Sequence, residues 1–372
     1  MIAGEASGDT HGAALMQELQ KKIPNMKFLG AGGPKMAAVA LRKGFDDWIA
    51  ESGVVGLWDV IKKYSYFRKK FSSLLKQLEQ EKPEAIILID YAGFNLRLAK
   101  AIRRRKLPIK IIKYISPQVW AWNRRRIPEM ARNLDLMICI FPFEEKIYAS
   151  SGLATSFSGH PLVEKLMAQR EENNVLPREQ NLLGLFPGSR SREVHHIFPV
   201  MAAAAKRVIA ENAAIGCEAA AATVTHAQEM KALAAKIDLP ITITVGQANN
   251  LMQRATFGLV CSGTATLEAA ALGLPYALVY KATPLTAIVA RALIQVPYLG
   301  IINILASRPV VKEFLQGAAT PQALAQEASH FLEDHQAALE LSLDVMSIAT
   351  TLRSEGAYKR AAVTIAEELN NI

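Results

Sequence analysis

The sequence predicts an α/β fold of two similar halves joined by a linker, and three observations carry that prediction. Short apolar runs alternate with longer amphipathic stretches along the chain, the pattern of strands joined by helical crossovers. The alternation pauses over about 159–181, where His160-Pro161, a polar stretch at 169–174 and Pro177 stand, and then restarts. A length of 372 residues, 51% hydrophobic and 21% charged, suits two cores better than one and excludes a largely disordered chain.

In the first half, strands are expected at Phe28–Gly30, Ala85–Ile89, Ile109–Ile115 and Leu134–Phe141, with helices over Gly12–Lys22 and Leu96–Arg105. That strand–helix–strand spacing implies parallel crossovers. Between them, Val54, Leu57, Trp58, Ile61, Tyr64, Phe67, Phe71, Leu74, Leu75 and Leu78 recur at helical spacing, flanked by Lys62, Lys63, Arg68, Lys69 and Lys70. A basic amphipathic helix of this kind lies in a membrane interface or against a core. The reading assigns 71–78 to core and the earlier part, with Trp58, Tyr64 and Phe67, to a lipid-facing surface. After the seam, strands are expected at Leu182–Phe186, Glu218–Thr223, Ile241–Val245, Phe257–Cys261 and Tyr276–Tyr280, with a helix through Val200–Ala210. From about Pro321 the sequence reads as consecutive helices.

The formal net charge of +9, from 43 Lys+Arg against 34 Asp+Glu, favours anionic partners without choosing among nucleic acid, phospholipid and phosphorylated substrate. Cys139, Cys217 and Cys261 are widely spaced in apolar surroundings, which argues for buried thiols in a reducing compartment and against a disulfide frame or zinc site. His195-His196 cannot converge on one helix face, and no HExxH spacing or carboxylate cluster supports them, so no metal is expected. No signal peptide is read at the start. The most apolar region, 269–306, is broken by Pro275, Lys281, Pro284, Arg291 and Pro297, so a soluble or peripheral protein is expected.

Five motifs carry the chemistry. Gly4-Glu5-Ala6-Ser7-Gly8-Asp9 follows a strand end and precedes a helix. Its glycines permit close backbone approach, Ser7 or Asp9 could cap the helix, and Glu5 is either an exposed turn residue or an acid facing a ligand. Asp90 emerges from the apolar run Ile86-Ile87-Leu88-Ile89 and stands between two roles, general base and helix cap. Trp120 and Trp122 beside Arg124-Arg125-Arg126 suit sugar stacking, phosphate binding or RNA contact, and they are too close to share one helix face. Gly188-Ser189-Arg190 joins a strand to a helix and offers backbone N–H groups and a guanidinium to a phosphate. Ser262-Gly263-Thr264 begins a helix whose N-terminus suits a diphosphate, with Glu268 placed to accept from ribose hydroxyls.

Taken together, GEASGD, IDYAGFN, SPQVWAW, FSGHPLVE, LFPGSRSREV and SGTATLE, in this order from residue 3 to residue 270, resemble the lipid-A-disaccharide synthases. The resemblance implies a GT-B architecture: two Rossmann-like domains facing a central cleft, the last helices crossing back to the first domain. The expected divisions are an acceptor- and membrane-facing domain over 1–165, a UDP-sugar domain over 166–345, and returning helices over 346–372. It implies an inverting, metal-independent glycosyl transfer without a cofactor, from UDP-2,3-diacylglucosamine to the C6 hydroxyl of 2,3-diacylglucosamine 1-phosphate.

Carried onto this chain, Asp90 is the base and Glu5 places the acceptor. Arg190 neutralises the leaving diphosphate with the helix after Ser262–Thr264, Glu268 holds the ribose, and Asn303 lies near the donor. Trp120 and Trp122 are assigned to substrate binding. Leu57, Trp58, Ile61, Lys62, Lys63, Tyr64 and Phe67 match the family's membrane contact, on an anionic surface at the cytoplasmic face of the inner membrane. The family has several apolar residues before the first motif, where this chain has Met1-Ile2-Ala3. Rival readings are another GT-B enzyme such as a UDP-N-acetylglucosamine 2-epimerase, or an RNA- or lipid-binding protein without catalysis; nucleic acid is not expected as a partner. A homodimer is left open.

Overall fold

Two parallel sheets organise the chain. The computed structural model describes residues 1–40, 45–49, 64–172, 178–283 and 293–370. The chain divides into two units, one of residues 1–161 with 354–372 and one of residues 162–353.

The first unit carries strands β1 (Ile2–Ala3), β2 (Ala31–Gly32), β3 (Asp46–Asp47), β4 (Ala85–Ile89), β5 (Lys110–Tyr114), β6 (Leu136–Cys139) and β7 (Ala154–Phe157). Their order is β3-β2-β1-β4-β5-β6-β7, with parallel pairing throughout. The helices are α1 (Ala6–Lys22), α2 (Pro34–Ala40), α3 (Tyr64–Glu81), α4 (Ala92–Arg104), α5 (Val119–Trp122), α6 (Ile127–Asn133) and α7 (Phe143–Ala149), while α8 (Pro161–Glu172) starts at the last residue of the 1–161 stretch and lies otherwise in the second unit.

A strand buried on both faces needs unbroken apolar sequence, and β4 supplies it. Ile86 and Leu88 enter one core with Leu98, Ile102 and Met130, while Ile87 and Ile89 enter another with Leu15, Met16 and Leu19. Burying each such side chain contributes roughly 1.5–3 kcal/mol.

The second unit repeats the plan with β8 (Leu182–Phe186), β9 (Gly216–Ala221), β10 (Thr242–Val245), β11 (Phe257–Cys261), β12 (Tyr276–Tyr280) and β13 (Glu313–Leu315), ordered β10-β9-β8-β11-β12-β13. Helices α9 (Ser191–Glu211), α10 (Val224–Ala235), α11 (Ala248–Arg254), α12 (Thr264–Ala271), α13 (Ile301–Ala306), α14 (Pro321–Glu333) and α15 (His335–Thr350) belong to it. The last helix, α16 (Ala357–Asn370), belongs to the first unit, where Ala361, Ala362 and Ile365 join the core of Leu15 and Leu19.

Strands β4, β8, β11 and β12 begin and end where the sequence placed them. The strand expected at Phe28–Gly30 instead occupies Ala31–Gly32. There Gly30 sits at φ 141°, and a Cβ on it would lie 1.9 Å from the Met1 carbonyl oxygen. Helix α1 starts at Ala6, inside the first motif. Of the basic amphipathic stretch, residues 54–63 lie outside the described residues. Among the described residues no helix is long and apolar enough to cross a membrane.

Strand order reverses beside β1 and β4 in one unit and beside β8 and β11 in the other. Open α/β sheets bind ligands outside the carboxyl ends of strands at such points. The first, second, fourth and fifth motifs stand at these four strand ends.

Candidate active site

In the second unit, the turns after β8 and β11 line a cavity of about 530 Å³. Gly188, Ser189, Arg190, Ser262, Gly263, Thr264 and Glu268 all contribute to its wall. Gly188 adopts φ 105°, and an added Cβ would meet the Glu193 carboxylate at 2.4 Å. That carboxylate accepts from the Ser189 and Arg190 amides at 3.1 and 3.2 Å and pairs with Arg190 Nη1 at 2.8 Å. Of the Gly188 and Ser189 N–H groups expected from sequence to meet a phosphate, that of Ser189 is thus taken by Glu193, as is the Arg190 amide. The Arg190 side chain is 81% exposed and presents the cation itself.

Across the cavity, Gly263 precedes α12 at φ 142°, with no side-chain cap on that helix. An uncapped helix N-terminus leaves N–H groups and a partial positive charge for an anion. Glu268, one turn further on, is pushed up by burial.

Sequence reasoning missed a third wall, Gly246-Gln247-Ala248-Asn249-Asn250. The signal was another glycine turn between strand and helix, with Gly246 at φ 69°. Its amide side chains supply donors and acceptors without charge.

Asn303 is absent from this wall. It is fully buried, donates to the Val311 carbonyl and Glu313 Oε1, and accepts from the Val310 and Val311 amides at 2.8–2.9 Å. With its hydrogen-bonding capacity used inside the protein, Asn303 fixes the loop before β13, which corrects the expected contact with donor.

In the first unit, Glu5 and Asp90 follow β1 and β4. Glu5 is exposed and precedes α1 without capping it. Asp9 does not cap α1 either. Its buried carboxylate accepts from the Gly33, Lys35 and Met36 amides at 2.9–3.1 Å and so anchors the start of α2.

Asp90 is half-buried, and it and Tyr91 adopt φ 41° and 43°. Two successive non-glycine residues in the left-handed region are uncommon and persist only where neighbours enforce them. Asn95 Nδ2 donates to the Ile89 and Asp90 carbonyls at 3.0 and 2.9 Å. Tyr91 packs against Trp48 and Phe94. A Cβ on Gly4 would fall 2.2 Å from the Tyr91 ring, so the motif glycine makes room for this turn.

Two ionisable groups that feel the Asp90 charge, His11 and Lys113, were not singled out from sequence, and nor was His160, which feels His11. Burial pushes His11 down while the Asp90 charge pulls it up, and His11 Nδ1 lies 2.9 Å from Tyr358 Oη on α16. Lys113 is fully buried and pushed down to about 7 by burial, with the Asp90, Cys139 and Glu144 charges opposing. His160 is also pushed down to about 4 by burial.

The tryptophan motif is divided. Trp120 is buried, packs edge-on to Phe143, and donates from Nε1 to Glu144 Oε1 at 2.8 Å. It is a packing residue, which corrects its assignment to substrate binding; Trp122 is 42% exposed. Of the expected membrane residues, Leu57, Trp58, Ile61, Lys62 and Lys63 lie outside the described residues, and so does the side chain of Tyr64. Phe67 is half-buried, edge-on to Trp48 at 6.3 Å.

The family model described as lipid-A-disaccharide synthetase matches residues 1–367. A lipid-A-disaccharide synthase 1 of Legionella pneumophila (strain Paris) is 37% identical over 339 residues, covering 90% of this chain and 88% of the relative. Its counterpart in strain Philadelphia 1 is 36% identical over 362 residues, covering 96% and 94%. Among solved structures, a UDP-GlcNAc 2-epimerase of Neisseria meningitidis bound to UDP-GlcNAc aligns with a TM-score of 0.60 at 14% identity, covering 98% of this chain and 97% of that one. This last likeness shows the fold alone, the GT-B class with its two Rossmann-like sheets.

Proposed function

The chain belongs to the lipid-A-disaccharide synthase family of glycosyltransferases, and from that premise we propose how its residues divide the reaction. The observation that carries the reading is the convergence of Arg190, the open N-terminus of α12 and Glu268 on one cavity at a sheet switch point. A cation and a helix N-terminus there suit a diphosphate, and a carboxylate one turn deeper suits ribose hydroxyls. The donor is UDP-2,3-diacylglucosamine and the acceptor 2,3-diacylglucosamine 1-phosphate.

Asp90 accepts the proton of the acceptor's C6 hydroxyl as that oxygen attacks the donor's anomeric carbon. The bond from that carbon to the UDP oxygen breaks, configuration inverts, and a β(1→6)-linked disaccharide 1-phosphate and UDP result. General base catalysis contributes about 10²–10⁴-fold, and placing fixed positive groups on the departing diphosphate lowers the barrier further. Glu5, exposed at the neighbouring strand end, places the acceptor. Because both sugars carry acyl chains, the enzyme works at the cytoplasmic face of the inner membrane, on an anionic lipid surface, as a peripheral protein.

The test is mass spectrometry of products with UDP quantified in parallel. UDP and one disaccharide product should appear only when both acylated sugars are present. UDP released from UDP-N-acetylglucosamine without acceptor would point to epimerase chemistry instead. Asp90→Asn should lower turnover roughly a hundredfold or more while UDP still binds, and near-parental turnover would remove Asp90 as the base.

A further inference from the structure

Lys113 sits in the buried part of β5, between Ile112 and Tyr114 and opposite Leu88 of β4. It has no exposed surface. A buried ammonium is costly unless its protons are used, and these are. Nζ lies 2.7 Å from the Asp90 carbonyl, 3.0 Å from that of Ile115, 3.2 Å from that of Tyr114 and 3.3 Å from that of Leu88. One amino group therefore gathers the carboxyl ends of two neighbouring strands.

Two of the four gathered residues are strained. Asp90 has φ 41°, and Ile115 has φ 68°, a genuine outlier for a β-branched side chain. Such backbone survives only where its surroundings over-determine it. Asn95 Nδ2 makes a second bond to the Asp90 carbonyl but reaches no Ile115 atom. An apolar residue at 113 would fill the space and keep the ladder, yet it would leave these carbonyls without their shared donor. The direction in which the Asp90 carboxylate leaves the strand depends on the φ that this donor holds.

We propose that Lys113 is a positioning residue for the transfer reaction, its amino group clamping the Asp90 and Ile115 carbonyls so that the Asp90 carboxylate is held in the orientation that accepts the acceptor's proton. This rests on the reading of Asp90 as the base. Lys113 touches no reacting atom and acts through Asp90 alone, so its removal changes the chemical step and leaves donor binding by the second unit intact.

The experiment compares Lys113→Met, Lys113→Gln, Asp90→Asn and the Asp90→Asn/Lys113→Met pair, reading kcat, donor KM, UDP affinity by calorimetry and Tm. Lys113→Met should lower kcat roughly tenfold or more, since displacements of about 1 Å can cost a hundredfold. Donor KM and UDP affinity should stay within about twofold of the parent. Lys113→Gln, which keeps a neutral donor, should recover part of the loss.

The paired variant should turn over no more slowly than Asp90→Asn alone, the signature of two residues acting as one unit. Parental kcat in Lys113→Met, or losses that multiply in the pair, would overturn the inference. Where Lys113→Met does not fold, Lys113→Gln and its pairing with Asp90→Asn carry the same comparison. A slow Asp90→Asn beside a fast lysine variant defeats the lysine role alone, whereas a fast Asp90→Asn defeats the base assignment first.

Discussion

Glu144 has no exposed surface, yet it accepts from the Trp120 indole and the Phe141 amide. Burial pushes its carboxyl up to about 7, with the bonds from Trp120, Ser116 and Phe141 opposing. Between its ordinary value of 4.5 and about 7, the folded protein keeps a proton that the unfolded chain has released. Stability therefore falls as pH rises through that window. Thermal melts at pH 5 and pH 7 should show a larger drop in Tm for the parent than for Glu144→Gln; equal drops would mean the carboxylate is already charged. Arg190 is largely exposed and already paired with Glu193, so its bond to a diphosphate is discounted for solvent to about 1 kcal/mol. Arg190→Ala should then weaken UDP roughly fivefold by calorimetry, and unchanged affinity would discard its phosphate role. Neither Glu144 nor Lys113 was singled out from sequence, because a lone charge in a strand or short helix does not say which way it points. The only signal was Lys113 interrupting Ile111-Ile112 and Tyr114-Ile115. Spacing did separate Trp120 from Trp122, but only the packing of Phe143 and Glu144 decides which indole turns inward.

Helix α16 shows what one element contributes across sequence distance. It leaves the second unit's chain segment and packs on α1, where Ile365 is fully buried and Lys110 pairs with Glu368 at 2.5 Å. The half-exposed ion pair adds little; the buried apolar face holds the helix. Ile365→Ala should destabilise the first unit by about 2–5 kcal/mol, measured by urea denaturation, while UDP affinity stays within about twofold. A variant as stable as the parent would show that the core collapses around the cavity. Elements of this kind were legible where apolar sequence was continuous, as in β4, β8, β11 and β12. The edge elements were not. Strand β3 is Asp46-Asp47, and β7 is exposed to half-buried along its length, so neither shows the apolar run that marks a central strand. Turn geometry was equally hidden: Gly4 was recognisable as a close-approach residue, but the ring it accommodates, Tyr91, comes from another strand end.

At the scale of the molecule, the same order of six strands occurs twice, with a seventh strand added at the edge of the first sheet, and four of the motifs stand at the two places where that order reverses. This is why a candidate pair of strand ends in each unit was readable from a linear sequence at all, since within each sheet topology brings distant strand ends together without help from their spacing. Attachment to a lipid surface is different in kind, because it depends on summed charge and exposed apolar area. The chain carries a net +9, with Trp58, Lys62 and Lys63 in one short stretch, and each basic residue near an anionic surface contributes about 1 kcal/mol. Phe67 is already engaged with Trp48, so it is a poor probe of membrane contact, whereas Trp58 and the two lysines test it directly. The parent should co-sediment with vesicles containing anionic lipid at about 0.1 M salt and much less at about 1 M, where screening shortens to about 3 Å. Trp58→Ser with Lys62→Glu and Lys63→Glu should lower sedimentation at low salt roughly tenfold or more, with UDP affinity unchanged. Sedimentation equal to the parent's would place the stretch against protein instead of lipid, and the basic surplus would then serve the phosphorylated substrates alone.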